Sequence, residues 1–443
     1  MKSIKESTPS VWCNWSGSVQ GRPRVRLHPA GEGDLAQNII RAPAPVRVAG
    51  SGHSFTPLNE TEGSLISLEN MAGVVSHDEK TAQATITPGI TLHDLGPALF
   101  ERGLGLVNQG DIDAQTLAGA VGTGTHGTGK TLGSLSSAVT GFRLVTAEGD
   151  VLSCSEDENK DVFDAGRVSF GTLGVMSAIT MQCHPAYGLK ETVGRLSFEA
   201  TCAALDEFCQ TYRHFEFFWF PFSDEVILKT LEKTDETPRL VAKPASPDRD
   251  SYDNKIIRWC CEISRSLPWL RGPLQRFLTR AGAKYYMMKG VNPSRTRWSH
   301  QAFPSPRTVR FNEMEYAVPA AAGPECVREV GEVMKRSGHN FMFPIEYRTI
   351  AADNIWLSPF YKRDSVSISI HQYARDPWRE LFAEAEAVFR RYEGRPHWGK
   401  LHTLTAKKAA NLYPRWEDFR AVRQRLDPKG HLLNTYLKTL FAA

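Results

Sequence analysis

Residues 46–54 read Val-Arg-Val-Ala-Gly-Ser-Gly-His-Ser, so a short apolar run meets a tight glycine turn. The apolar run before the turn predicts a strand. The glycines let the backbone approach a ligand closely or adopt a positive φ. The turn presents one imidazole, that of His53. A lone loop histidine is more often structural than functional, so this segment needs support from elsewhere in the chain.

A second glycine-rich segment lies at residues 116–129, where five glycines and four threonines occur in fourteen residues. Successive backbone N–H groups and threonine hydroxyls form a nest that suits an anion such as a pyrophosphate. For this segment alone, a loop that merely turns is the alternative interpretation. Two such segments about 70 residues apart, with short strands between them, favour a ligand site.

The second segment also matches two phosphate-binding patterns in form. Residues 124–131 match the P-loop pattern and residues 122–127 match the dinucleotide pattern, but both need a strand before and a helix after. Residues 115–121 are too small and glycine-broken for a buried strand, and residues 132–137 make a poor helix. We therefore expect neither pattern to operate. A non-redox nucleotide-binding protein that uses the Lys130 loop is kept as the alternative from another class.

Length and composition describe an ordinary globular protein. A chain of 443 residues with 41% apolar and 23% charged residues corresponds to two or three domains at about 150 residues each. The net charge of +4 gives no argument for nucleic acid. Eight cysteines without a C-x-x-C pair argue against a disulfide framework and a zinc site. Without a signal-like start or a long apolar run, we expect a cytoplasmic protein.

The composition of the sequence changes near residue 185. Before it, short strands alternate with helices in a glycine-rich α+β pattern, including a helix capped by Thr91 and stopped by Gly103. After it, aromatic residues become dense. Residues 255–295 carry nine lysines and arginines against one acid, Glu262, together with several aromatic residues. We place a domain boundary near 185 and expect the last segment to return to the first domain.

Ordered motifs run from residue 47 to residue 437. They are Arg47-Val-Ala-Gly-Ser-Gly-His53-Ser54, Gly122-Thr-Gly-Thr-His126-Gly-Thr-Gly129, Ser169-Phe-Gly-Thr-Leu-Gly174-Val175, Glu313-Met-Glu-Tyr-Ala-Val-Pro319, Pro344-Ile-Glu346-Tyr-Arg348, Arg395-Pro-His397-Trp-Gly-Lys400, Trp416-Glu-Asp-Phe and Asp427-Pro-Lys-Gly-His-Leu-Leu-Asn434-Thr-Tyr-Leu437. With these motifs the sequence resembles the vanillyl-alcohol-oxidase (PCMH) type of FAD-linked oxidases. Within that family it is most similar to the branch of sugar-1,4-lactone (aldonolactone) oxidases and alditol oxidases. Residues 225–300 lie outside the resemblance.

The resemblance implies an α+β fold in three parts. A PCMH-type FAD-binding domain of two subdomains would occupy residues 1–185. An α+β substrate (cap) domain at 186–415 would lie over the flavin and carry a basic aromatic insertion near 225–300, and residues 416–443 would return to the FAD domain. The resemblance also implies that His53 bonds the flavin 8α-methyl. Imidazole is a competent nucleophile, and no cysteine lies near either glycine segment to make a second bond.

The positions that match the family motif are implied to contact FAD, with His397 touching its ring. They are Arg47, Val48, Ala49, Gly50, Ser51, Gly52, His53, Ser54, Thr116, Gly122, Thr123, Gly124, Thr125, His126, Gly127, Thr128, Ile179 and His397. His126 has a structural alternative, in which it orients the nest. No metal is expected.

The implied substrate site contains Glu346, Arg348 and Lys400. The i, i+2 spacing of Glu346 and Arg348 places both on one side of a strand, where they can hydrogen-bond a polyol and stabilise developing negative charge. His371, at an inward strand position, is the candidate general base. The alternatives are an exposed ion pair worth under ~1 kcal/mol, a solvated lysine and a satisfied core histidine.

The expected reaction is oxidation of a CH–OH group in a sugar-1,4-lactone or polyol by hydride transfer to FAD, with O2 reoxidising the flavin and giving H2O2. The alternative is a dehydrogenase that passes electrons to a quinone or cytochrome, and residues near 114–116 are expected to control oxygen access. Residues 255–295 are either a solvated surface insertion or a contact surface for a membrane or an acceptor protein.

Overall fold

The computed structural model describes residues 11–238, 251–288 and 294–442. The start of the chain, where we expect no signal sequence, lies outside these residues. So do residues 239–250 and 289–293 of the predicted insertion.

A small parallel sheet holds the first glycine segment. Its strands are β3 (Val25–Leu27), β5 (Ser64–Ile66) and β4 (Val46–Val48), in that spatial order, and a short β1–β2 pair (Trp12–Cys13, Gln20–Gly21) precedes them. Helix α1 (Glu32–Arg41) makes the crossover, and its buried Leu35 and Ile39 pack on Val46 and Ile66 because residues four apart share one helical face. The segment 49–54 therefore emerges at the carboxyl edge of β4.

The second sheet is antiparallel and six-stranded. It consists of β6 (Val74–Asp78), β7 (Gln83–Ile86), β8 (Leu104–Leu106), β9 (Val139–Val145), β10 (Val151–Ser155) and β11 (Val175–Pro185), in the order β10-β9-β11-β7-β6 with β8 beside β11. Helices α2 (Leu92–Phe100) and α4 (Lys160–Gly166) accompany it. The predicted cap of α2 is confirmed, since the Thr91 hydroxyl accepts the Asp94 N–H at 3.1 Å.

The second glycine segment begins with a helix that the sequence did not predict. Helix α3 (Leu117–Thr123) is short and buried, and it ends at Gly124, whose φ of 76° is left-handed. Only a single 3-10 turn (Leu135–Ala138) follows the segment. Since no strand leads into the segment and no α-helix leaves it, neither phosphate-binding pattern has the geometry that it requires.

The third sheet is antiparallel and eight-stranded, and all of its strands follow residue 187. They are β12 (Gly188–Ser197), β13 (His214–Trp219), β14 (Glu225–Thr234), β15 (Ser294–Trp298), β16 (Phe311–Pro319), β17 (Ile345–Ile350), β18 (Ser365–Tyr373) and β19 (Arg395–Pro396), in the order β15-β12-β14-β13-β17-β18-β16-β19. The helices of this region are α5 (Phe198–Ala203), α6 (Leu205–Thr211), α7 (Tyr252–Ser266), α8 (Arg271–Met288), α9 (Ser299–Ala302), α10 (Gly323–Arg336) and α11 (Arg379–Arg391).

The two faces of this sheet differ in chemistry. On one face, Tyr316, Tyr347 and Ile368 pack against α10 and α11 in a closed apolar core. Because side chains alternate across a strand, their neighbours in sequence point to the opposite face, where β16, β17 and β18 carry acids, an arginine, serines and a histidine. That polar face is the wall of the candidate site.

The last segment packs against the first two sheets. It contains α13 (Trp416–Leu426) and α14 (Thr435–Leu440), which follow α12 (Ala406–Leu412), and Phe419 and Leu437 join the same core as Phe163. The Val46 N–H donates to the His431 carbonyl at 2.9 Å. We propose a division into 1–185, 186–415 and 416–443, with the third part returning to the first. Across the described ranges, no helix has both the length and the apolarity needed to span a bilayer.

Candidate active site

The two glycine-rich segments line one cavity of about 340 Å³, together with residues 169–176. The predicted cofactor residues in its lining are Arg47, Val48, Ala49, Gly50, Ser51, Ser54, Thr116, Gly122 and Thr123. The tertiary structure thus unites segments that are far apart in sequence around a single space.

Glycine is required where these segments meet. A Cβ atom on Gly50 would lie 2.1 Å from the Thr116 hydroxyl oxygen, and Gly52 has a φ of +72°. Any side chain at these positions would clash or be strained. The bare backbone leaves a space lined by small residues and hydroxyls, a lining suited to the pyrophosphate of a dinucleotide such as FAD.

Arg47 acts mainly as an internal tie. Its guanidinium is buried and donates to the carbonyls of Leu58 at 2.7 Å and Leu432 at 2.6 Å. Arg47 therefore links the first glycine segment to the C-terminal segment. Because Arg47 also lines the first cavity, its predicted contact with the cofactor stays a prediction.

Several predicted cofactor residues lie outside the lining of the first cavity. Gly52, Gly124, Gly127, Thr128 and Ile179 line neither of the two cavities described here. Ile179 lies in the apolar core, paired with Ile86 and Phe142 across the second sheet. Thr128 accepts the Thr349 N–H at 3.2 Å and so ties the segment to β17. For these residues the geometry supports a structural part.

His53 lies between two residues that line the first cavity and itself belongs to the lining of a second one. Ser51 and Ser54 line the first cavity, whereas His53 lines the second, which also contains Thr125, His126 and His397 of the predicted set. Trp15 stacks on the His53 ring with 5.4 Å between centroids. The imidazole thus lines the second cavity while the next residue, Ser54, lines the first, as expected of an attachment point for a cofactor that contacts both.

Strand register assembles the charged wall of the second cavity. Glu313 pairs directly with His371, and Ser369 lies between Glu315 and Glu346. One row further along, Arg348 pairs with Glu216, which in turn faces Lys229 on the next strand. Because the period of a strand is two, all of these residues reach the same face. All four predicted catalytic residues, Glu346, Arg348, His371 and Lys400, line this cavity.

Arg348 is held by three carboxylates. Its guanidinium donates to Glu216 at 2.7 Å, to Asp111 at 3.0 Å and to Glu346 at 2.9 Å. Lys229 lies 2.9 Å from the second oxygen of Glu216. Burial favours the neutral form of Asp111, but Lys229 and Arg348 outweigh it and lower the pKa of Asp111 to about 2. The interpretation of Glu346 and Arg348 as an exposed surface pair is therefore wrong.

Glu313 joins Lys400 to His371. The Lys400 ammonium donates to one Glu313 oxygen, and the His371 Nε2 lies 3.4 Å from the other. Against the effect of burial, these two neighbours lower the pKa of Glu313 to about 2. Burial acts to lower the pKa of His371, but the charge of Glu313 outweighs it and the pKa is raised. His371 is therefore protonated over a wider pH range than a free histidine.

Two further histidines line the second cavity. The Nε2 atom of His126 lies 2.6 Å from a Glu315 oxygen, and its Nδ1 atom lies 2.8 Å from the Gly127 carbonyl oxygen. Burial lowers the pKa of His397 to about 4. Its Nδ1 accepts the Gly399 N–H at 3.1 Å, so a neutral His397 carries its proton on Nε2 and can act only as a donor there.

Besides Arg307, which also lines the cavity, five charged residues of this site were not predicted. They are Asp111, Glu216, Lys229, Glu313 and Glu315. For Glu313 and Glu315 the sequence did contain a signal. The two acids alternate with apolar residues in the strand Phe311–Pro319, which is otherwise apolar apart from Asn312. Two acids at i, i+2 on a buried strand indicate a polar cavity. The other three had no local signal.

Comparison with known families gives two matches along the chain. Residues 24–155 match an FAD-binding domain, and residues 179–440 match the family described as D-arabinono-1,4-lactone oxidase. The second match alone covers more than half of the chain.

Individual relatives align over nearly their whole length. The chain is 38% identical to the L-gulono-1,4-lactone dehydrogenase of Mycobacterium tuberculosis, over 97% of this chain and 98% of that one. It is 31% identical to the L-gulonolactone oxidase of Mus musculus, with 97% of each chain covered. It is 27% identical to the alditol oxidase of a Streptomyces species, over 96% and 98%.

Among solved structures, the cholesterol oxidase of B. sterolicum superposes with a TM-score of 0.82. The alignment covers 98% of this chain and 97% of that one at 17% sequence identity. At this identity the likeness establishes the fold.

Proposed function

Because this chain belongs to the D-arabinono-1,4-lactone oxidase (aldonolactone oxidase) family of FAD-dependent oxidoreductases, we propose that it oxidises a CH–OH group of a sugar-1,4-lactone or an alditol. One observation carries the proposal. A glycine-lined cavity suited to a dinucleotide lies beside a second cavity walled by Glu346, Arg348 and Lys400. Ser54 lines the first cavity, and the adjacent His53 lines the second.

The second cavity suits a small polyhydroxylated substrate. Carboxylates such as Glu346 accept hydrogen bonds from substrate hydroxyls, and Arg348 and Lys400 donate to oxygens that gain negative charge. The surrounding ion pairs fix these groups before substrate enters, so little reorganisation is needed. When bound, FAD supplies the acceptor for the hydride. The contacts between FAD and the residues that match the family motif are part of this proposal.

Oxidation of a carbinol also releases the hydroxyl proton. We assign its removal to His371, which lines the cavity and is buried against Glu313. A base must be neutral to take a proton. Since the pKa of His371 is raised, the active form is reached only above the ordinary histidine range.

We expect kcat/KM to rise with pH through an apparent pKa above about 6.5 and then level off. At low pH the imidazolium cannot accept the proton, and Glu313 stabilises that form, which moves the rise upward. The measurement is a pH profile with an alditol as substrate, because alditols do not ionise in this range. In His371→Asn, kcat/KM should be low and this rise should be absent.

The same rise in His371→Asn would show that another group titrates. A fall of kcat/KM with pH over this range would mean that the imidazolium is the active form and serves as an electrostatic group. Flavin content is measured in both proteins, so that a loss of cofactor is not mistaken for a loss of base.

The first candidate for the electron acceptor is O2, with H2O2 as product, as in the reaction expected from the resemblance. A second candidate is an acceptor other than oxygen, and the 38% identical relative favours it, since its name is that of a dehydrogenase. In that case the exposed basic and aromatic residues within 255–295 form the surface that meets the acceptor or the membrane in which the acceptor is dissolved.

The experiment combines substrate and acceptor. FAD-loaded protein is screened with sugar-1,4-lactones and alditols, and O2 consumption is compared with the reduction of a quinone-like dye. Substrate-dependent flavin bleaching under argon is the expected result for either acceptor, because it reports the reductive step alone. If no lactone or alditol bleaches the flavin of a folded, loaded protein, the proposed substrate class is wrong.

A further inference from the structure

Helices α7 and α8 expose an unusual set of side chains. Nine large hydrophobic residues are exposed among the described residues, and five of them belong to this pair and its connection: Tyr252, Trp259, Leu267, Trp269 and Phe277. All the aromatic members of the nine are in this set, and Trp269 is 73% exposed. Exposed apolar side chains that cluster in this way mark an interaction site.

Helical spacing gathers these residues into two stripes. On α7, Tyr252, Lys255 and Trp259 are exposed at i, i+3 and i+7. On α8, Arg280 is exposed four residues after the exposed Arg276 and three residues after the exposed Phe277. Residues at these spacings share one side of a helix. The turn between the helices, residues 266–269, is exposed throughout.

The opposite sides of both helices are anchored in the protein. Cys260 and Cys261 of α7 and Leu278 of α8 are buried in one cluster with Phe55 and Phe311. The last two residues also line the second cavity. The outward stripes are therefore held rigidly on the outer side of the substrate-site wall.

The exposed surface of α7 and α8 carries Lys255, Arg276 and Arg280 against one exposed acid, Asp253, so its net charge is positive. Within the described part of the chain, Lys255, Arg276 and Arg280 have no acidic partner. Glu262, which is the sole acid between residues 255 and 295, is already paired with Arg265 at 3.2 Å and Arg375 at 2.6 Å. An anionic phospholipid surface complements both features, since its phosphates attract the cations and its interface accommodates tryptophan.

We propose that the outer surface of α7 and α8 binds an anionic phospholipid bilayer. The two helices lie on the membrane, with Trp259, Trp269 and Phe277 inserted at the headgroup level and the basic residues against the lipid phosphates. The wall of the substrate cavity then stands next to the membrane. The proposal goes beyond the reaction and does not depend on which acceptor is used.

The test is co-sedimentation of the full-length, FAD-loaded protein with large vesicles. We expect binding to phosphatidylcholine vesicles that contain phosphatidylglycerol, weakening as salt is added, and much less binding to phosphatidylcholine alone. Reversing two charges in Arg276→Glu/Arg280→Glu should weaken binding by roughly 30-fold or more, because each basic residue near an anionic surface contributes about a factor of five. Trp269→Ser should weaken it independently of salt.

Matched controls lie on other surfaces. Lys407→Glu/Lys408→Glu reverses two exposed lysines on α12, and Val75→Ser removes an exposed apolar residue on β6. Both controls should bind vesicles as the wild type does. Flavin content shows that all variants are folded.

Three outcomes would overturn the proposal. The first is an absence of binding to anionic vesicles, and the second is equal binding by the wild type and the Arg276→Glu/Arg280→Glu variant. The third is a dimer in solution that Trp269→Ser dissociates, without vesicle binding by either protein, which would assign the surface to a second copy of the chain.

Discussion

We expect the His53→Ala variant to release all of its flavin on acid denaturation, whereas the wild-type protein keeps yellow fluorescence on the polypeptide. His53 lines the second cavity next to Ser54, which lines the first, and Trp15 stacks on the His53 ring. Imidazole is the nucleophile that the proposed bond to the flavin requires. Because the glycine-lined cavity is unaltered in the variant, non-covalent binding of added FAD should persist. Intact-protein mass and fluorescence of the denatured protein measure the bond.

The matched control for this experiment is His397→Asn. His397 lines the same cavity, and its variant should keep the flavin attached. Flavin that stays bound to denatured His53→Ala would assign the bond to another residue. Flavin that leaves the FAD-loaded wild-type protein on denaturation would show that the cofactor is dissociable. That result would not change the description of the fold and the two cavities.

We expect Arg348→Leu to lower kcat/KM by roughly 10³-fold, the upper part of the range for removing one preorganised charge-stabilising donor. The loss has two sources. The substrate oxygen loses its cation, and the buried carboxylates Glu216 and Asp111 lose a partner, which costs about 3–5 kcal/mol of stability when a buried pair is broken. Steady-state kinetics and thermal unfolding measure the two effects separately.

Arg348→Lys separates charge from geometry. It keeps the positive charge but loses the planar fork that contacts Glu216, Asp111 and Glu346 at once, so we expect an intermediate loss in kcat/KM. Arg328→Leu is the control, since Arg328 forms an exposed pair with Glu199 on the same domain and should change neither quantity appreciably. A folded Arg348→Leu protein with unchanged kcat/KM would remove Arg348 from the reaction.

The local elements near the first glycine segment followed from the sequence, because each has a local physical cause. The apolar run at 46–48 predicted β4, and Thr91 predicted the start of α2. Helix α3 was missed, since its glycine-rich sequence has low helix propensity and only burial in the core stabilises it. In such short segments, tertiary packing outweighs intrinsic helix propensity.

The candidate site was predictable where residues share one strand. Glu346 and Arg348 could be assigned to one face from their spacing alone, and His371 from its place in an inward-facing alternation. Lys400 came from the family resemblance, and so did the role of His53, which the glycine turn had indicated only as a presented imidazole. Whether these residues lie close together depends on the order of the strands in the sheet. That order is not encoded in the segments that carry the residues.

What the chain encodes locally, then, is the alternation of β16, β17 and β18 and the two glycine turns, because side-chain period and backbone freedom are properties of neighbouring residues. The tertiary structure decided the rest. Register across β14, β13 and β17 placed Lys229, Glu216 and Arg348 in one row, and a loop brought Asp111 to the same guanidinium. A buried charge is stable only with its partners in place, and partners more than a hundred residues apart are joined by the packing of the whole sheet.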